Sequence, residues 1–204
     1  ITYDPDALAI FTETWKQLPE GPKIVLAHSF GANVLMEMAQ HSPLDDISAL
    51  VLLSIYSKAD FSDFTWPEFI RYVNQFEIFL EMSLSSRPGA AKLSDKSKKI
   101  ILDKTMQLYS PASWLQFYKV YSKTPGLDLS TVAMPTLVMG GKKDFSIEYE
   151  DIHSFSRRLP NATFRFIEHC GHFAMIEDPC HTARLIHEFL IQELSTHGFQ
   201  SMND

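Results

Sequence analysis

The sequence predicts an α/β fold: a mostly parallel sheet flanked by helices and interrupted by an all-helical insertion. Three observations carry that expectation. Amphipathic segments alternate with short strand-like segments over residues 5–55 and again over 135–194. The first two strand-like runs are almost wholly apolar, as strands buried on both faces are. Between the two blocks, residues 61–122 lose the strand pattern and become dense in aromatics.

The elements follow in order. Residues 5–18 place Leu8, Ile10, Phe11, Trp15 and Leu18 at mostly three- and four-residue spacings, which predicts an amphipathic helix stopped by "PEGP". Ile24 to Ala27 reads as a buried strand. Gly31 to Gln40 sets Val34, Leu35, Met38 and Ala39 on one helical stripe. "ISALVLLSI" is a second strand. In the insertion, Trp66, Phe69, Ile70, Val73 and Phe76 fit one helical stripe, and "SSRPGAAKLSDKSKK" reads as a polar break. Ser110 followed by Pro111 marks a helix start, a capping residue before proline at the first helical position. Three or four helices are expected there. The alternation then resumes with "PTLVMGG" as strand and turn and "IEYEDIHSFSRRL" as helix. "ATFRFIEH" reads as a strand near a sheet edge, and "CHTARLIHEFLIQEL" as the last helix, with the tail after Ser195 frayed. The strand candidates are 23–27, 48–55, 135–140 and 162–168.

A chain of 204 residues is long enough for one sizeable core. The net charge of −7 argues against nucleic acid as a partner, because phosphate binding needs a basic face. No apolar run approaches the length of a membrane span. Two cysteines, Cys170 and Cys180, make no disulfide framework, so a reducing, cytoplasmic setting is expected.

The residues that carry chemistry sit at turns. "AHSFGA" places Ser29 between an apolar strand and a helix, with small residues two before and two after it. A turn this tight is expected to strain its apex, to need small residues at Ala27 and Gly31, and to lift the Ser29 hydroxyl clear of the sheet. A serine is inert at neutral pH without a base, and the base needs an orienting acid. "LVMGGKKDFS" puts Asp144 in the loop after a later strand, and "FIEHCGHFAMIEDP" puts His172 in the loop after the last one. Both loops fall at the C-terminal edge of a parallel sheet, where ligand sites form. Each residue has a competitor: an ordinary turn role for Ser29, Glu148 or Asp60 as the acid, and His169 as the base. His28 reads as a packed residue rather than a base. His169, Cys170, His172, Cys180 and His181 invite a zinc reading, but H-C-x-H on one tight loop is not a familiar spacing.

On these motifs the chain resembles the α/β-hydrolase superfamily, in its capped serine hydrolase branch. "AHSFGA" is similar to the family's nucleophile elbow, with Ala27 in place of the commoner glycine. "GGKKD" is similar to the acid loop, and "GHFAMIEDP" to the histidine segment. The resemblance implies a catalytic triad of Ser29, Asp144 and His172, with the Phe30 backbone N–H as an oxyanion donor. It implies an elbow half at 1–60, a helical cap at 61–125, and an acid-and-histidine half at 126–204. No cofactor or metal is implied. The substrate would be a small molecule with an apolar part, carrying an ester or related carbonyl. Acyl transfer, perhydrolysis, or ligand binding with little turnover are the other activities such a site serves. The resemblance further implies N-terminal strands absent from this chain, together with the second oxyanion donor. A preceding segment or a second chain would complete the sheet, and residues 1–204 alone are expected to be insoluble or nearly inactive.

Overall fold

The computed structural model describes residues 6–196, so the expected fraying beyond Ser195 falls largely outside the described residues. Four parallel strands form the sheet: β1 (Lys23–His28), β2 (Ile47–Leu53), β3 (Thr136–Gly141) and β4 (Ala162–Ile167). They lie side by side in chain order. All four predicted strands are therefore present, and β4 is at an edge as its pattern implied.

Helices cover both faces. On one side, Leu50, Leu52 and Val138 pack with α1 (Ala7–Trp15), α2 (Phe30–Met38) and α6 (Tyr149–Arg157). On the other, Val51, Leu53, Leu137 and Met139 pack against α7 (Ala174–Glu177) and α8 (Pro179–Thr196). This two-sided burial explains why β2 and β3 are nearly continuous apolar runs.

β1 departs from expectation. Its Val25 and Ala27 join the core, but Ile24 and Leu26 are each 51% exposed. The reason is positional: β1 is the other edge strand, and α8 packs over the middle of the sheet rather than over it. In α1, Leu8, Phe11 and Trp15 pack inward while Ile10, and Leu18 beyond the helix, face solvent. α2 is buried almost throughout, including the polar Asn33 and Glu37.

Residues 61–122 contain α3 (Trp66–Ser85), α4 (Asp95–Leu108), α5 (Pro111–Tyr121) and short 3₁₀ turns, with no strand. α5 starts as the sequence indicated: the Ser110 hydroxyl accepts the Ser113 N–H at 3.2 Å and Pro111 takes the first position. Two details differ. Trp66, placed on the inward stripe, is 70% exposed at the start of α3, where the stripe has not yet met its partners. The supposed polar break is half helix, because Ser94 caps α4 and its charged first turns need no core to stand on.

Candidate active site

Each strand ends in a loop at the same edge of the sheet, and these four loops build the site. Ser29 follows β1 directly and is the N-cap residue of α2. Its backbone is strained as the turn demands, at φ 56° and ψ −132°, a conformation costing about 1–3 kcal/mol. Two anchors hold it. The Ser29 N–H continues the ladder to the Leu53 carbonyl at 2.8 Å. The buried Asn33 side chain then ties α2 to the loop after β2, donating to the Tyr56 carbonyl at 2.6 Å and accepting the Tyr56 N–H at 3.2 Å. A Cβ on Gly31 would meet no atom within 4 Å outside its chain neighbours and its own helix backbone.

A steric requirement does lie at Gly141. A Cβ there would fall 2.2 Å from the Gly171 carbonyl oxygen and 2.4 Å from that of Cys170. The bare backbone of β3 thus lets the loop after β4 lie directly on the loop after β3, where the Lys143 N–H donates to the Cys170 carbonyl at 2.8 Å.

That contact brings the three sequence-selected side chains into line. His172 Nε2 is 2.8 Å from Ser29 Oγ, and His172 Nδ1 is 2.6 Å from Asp144 Oδ2. With Nδ1–H donating to the carboxylate, Nε2 is left to accept the serine proton. His172 and Asp144 are both buried. The free Asp144 oxygen, Oδ1, accepts the Ser146 N–H at 2.9 Å and the Ser146 hydroxyl at 2.6 Å. Phe30 is the first residue of α2, so its N–H belongs to the helix end whose amides have no helical acceptor.

Other groups position His172. Its carbonyl accepts from His28 Nε2 at 2.9 Å and from the Ser54 hydroxyl at 3.3 Å. Burial, with the neighbouring His172 adding to it, pulls the His28 pKa down to about 4, so His28 stays neutral. Tyr56 OH reaches Ser146 Oγ at 3.4 Å, and burial raises its pKa. Ser146, Tyr56, Ser54 and Asn33 were not singled out from the sequence. "DxS" after the acid was the visible signal for Ser146; the others follow only from the packing. The competitors stand apart: His169 pairs with Asp178 at 2.7 Å, Asp60 caps a 3₁₀ turn by accepting the Ser62 N–H at 2.7 Å, and Glu148 is the residue before α6.

A cavity of about 290 Å³ opens over Ser29. Phe76, Trp114, Phe117 and Phe145 line it with Tyr56 and Tyr72, and no charged side chain does so among the described residues. Phe79 stacks edge-on to His172 with ring centroids 4.9 Å apart, closing the site from α3.

The sequence profile of the alpha/beta hydrolase fold family matches residues 5–179, and the chain belongs to that family. Monoacylglycerol lipase ABHD6 of Bos taurus is 25% identical over 76 residues, which are 37% of this chain and 23% of that protein. The matched stretch thus spans about a quarter of that relative's length. The lip1 protein of Acinetobacter baumannii AYE superposes with a TM-score of 0.68 at 18% identity, over 96% of this chain and 71% of that one. The esterase EaEST of Exiguobacterium antarcticum gives 0.60 at 14% identity, over 89% and 72%. At such identities these structures share the fold. Like those relatives, the chain is a hydrolase-fold protein, and no helix among its described residues is long and apolar enough to cross a membrane.

Proposed function

We propose that the chain is a serine hydrolase that cleaves an uncharged ester or related carbonyl compound through Ser29, His172 and Asp144. The observation that carries this reading is the unbroken hydrogen-bonded line from Ser29 Oγ through both ring nitrogens of His172 to Asp144, at the sheet edge where the strand loops converge.

In this reading His172 Nε2 takes the Ser29 proton as Oγ attacks the carbonyl carbon. Asp144 fixes the tautomer and stabilises the imidazolium that forms. The Phe30 N–H and the N-terminal end of α2 receive the developing oxyanion. His172 then protonates the leaving group, and water, activated by the same imidazole, releases the acyl group.

Residues 61–125 act as a cap. α3 and α5 supply Phe76, Phe79, Trp114 and Phe117 to the wall over Ser29. An aromatic, charge-free cavity favours an apolar acyl or alcohol group and disfavours a carboxylate-bearing substrate, whose desolvation nothing in the wall would offset. The names of the relatives point the same way: a lipase acting on monoacylglycerol and an esterase.

Steady-state turnover of p-nitrophenyl esters tests the reading. The full-length protein should hydrolyse short uncharged esters, and Ser29→Ala should lower kcat by about 10⁶-fold. Turnover undiminished in Ser29→Ala would refute it.

A further inference from the structure

The zinc reading dismissed on spacing returns in a different form once the chain is folded. His172 is engaged with Ser29 and Asp144, and Cys170 is buried. His169, however, leaves the sheet just after β4 and meets the start of α8. There His169, Asp178 and His181 each offer a ligand atom, and the three atoms lie within 4.8 Å of one another. His169 Nε2 stands 2.7 Å from Asp178 Oδ2, and the two imidazole rings are 5.6 Å apart. Asp178 Oδ1 accepts the His181 N–H at 3.0 Å, which fixes the carboxylate and leaves Oδ2 on the His169 ring.

We propose that His169, Asp178 and His181 form a surface binding site for a divalent transition metal of the zinc class. Two imidazoles and one carboxylate are the donor set that such an ion prefers, whereas calcium and magnesium favour oxygen alone. Metal–ligand bonds of about 2.0–2.2 Å require the three atoms to close to about 3.5 Å. The His169 side chain is half-exposed, so no packed core opposes that shift. His169 binds in the tautomer with its proton on Nδ1, so the contact to Asp178 gives way to two bonds to the ion. Water completes the coordination. The positive end of α8 opposes a cation, and the Asp178 charge offsets it, so the affinity is moderate.

The consequence reaches the site. His169 and Asp178 bracket the segment that carries His172 and α7. An ion held between them clamps both ends of that segment in the folded state and stabilises the fold by mass action.

The test is calorimetric titration of the metal-free chain with ZnCl₂ at pH 7.5, with the thermal unfolding midpoint as a second readout. One ion per chain should bind and raise the midpoint. His169→Ala and His181→Ala should each weaken binding at least about tenfold, and Cys180→Ser, which removes the exposed thiol next to His181, should leave it unchanged. A readout that needs no variant is protection of His169 and His181 by Zn²⁺ against diethyl pyrocarbonate, read by peptide mass spectrometry. Absence of binding, unchanged affinity in both histidine variants, loss on Cys180→Ser alone, or no protection would overturn the proposal.

Discussion

Gly141 and Gly171 lie so close that a single methyl on Gly141 would sit 2.2 Å from the Gly171 carbonyl oxygen. The neighbours are backbone atoms, which cannot rotate away. Gly141→Ala must therefore part the loop carrying Asp144 from the loop carrying His172. We expect a stability loss of about 1–3 kcal/mol, as overpacking gives, and a fall in kcat much larger than any change in KM. Gly140→Ala is the comparison. There the Cβ would meet Ile152 Cδ1 at 2.7 Å, the end of a flexible side chain, and the effect on kcat should be far smaller. Urea unfolding and ester kinetics on both variants check this.

Ser146 holds the Asp144 oxygen that does not face His172. Ser146→Ala removes the hydroxyl donor and leaves the backbone N–H in place. A hydrogen bond to a charged group contributes about 1.5–3 kcal/mol. Turnover should fall about 10- to 100-fold with KM little changed. Equal losses in binding and turnover would indicate a collapsed pocket instead.

His28 makes stability pH-dependent. Its folded pKa is depressed to about 4 by burial and by His172, while an unfolded histidine titrates near 6.5. Between those values the unfolded chain binds the extra proton, so stability falls as pH drops through that window and is fully present above it. The total is about 3 kcal/mol, of which about 2 kcal/mol is lost between pH 7.5 and pH 5. Asp144 faces His28 as an opposing charge and softens the effect. His28→Gln should flatten this dependence in denaturant unfolding at the two pH values.

β1 presents Ile24 and Leu26 to solvent beside an edge with no strand paired to it among the described residues. Such an edge invites strand-to-strand association. Residues 1–204 on their own should associate with rising concentration, and Ile24→Lys with Leu26→Lys should reduce it. Light scattering of the two proteins decides the matter.

Much of the architecture was legible because parallel strands buried on both faces write themselves as apolar runs, as β2 and β3 do. The same rule misled at β1, since an apolar run does not record whether a helix covers it. Ser29, Asp144 and His172 were legible because each sits at a strand-to-loop transition with small or turn-forming neighbours. Asn33, Ser54 and Tyr56 were not, because their roles are hydrogen bonds made across the sheet edge by partners distant in sequence. The steric role of Gly141 was not legible either, because only the packing of two loops reveals it. His169 and His181 likewise meet only because the segment between β4 and α8, which carries His172 and α7, folds back on itself.

The central claim is that Ser29 is a nucleophile activated by His172. Labelling of the protein with a fluorophosphonate, followed by mass spectrometry of the modified peptide, tests it most directly, because the probe reports an activated serine without requiring the natural substrate. One phosphonylated residue, Ser29, is expected, with labelling abolished in Ser29→Ala and strongly slowed in His172→Ala. Modification at Ser54, Ser146 or another serine, or labelling that survives Ser29→Ala, would contradict it.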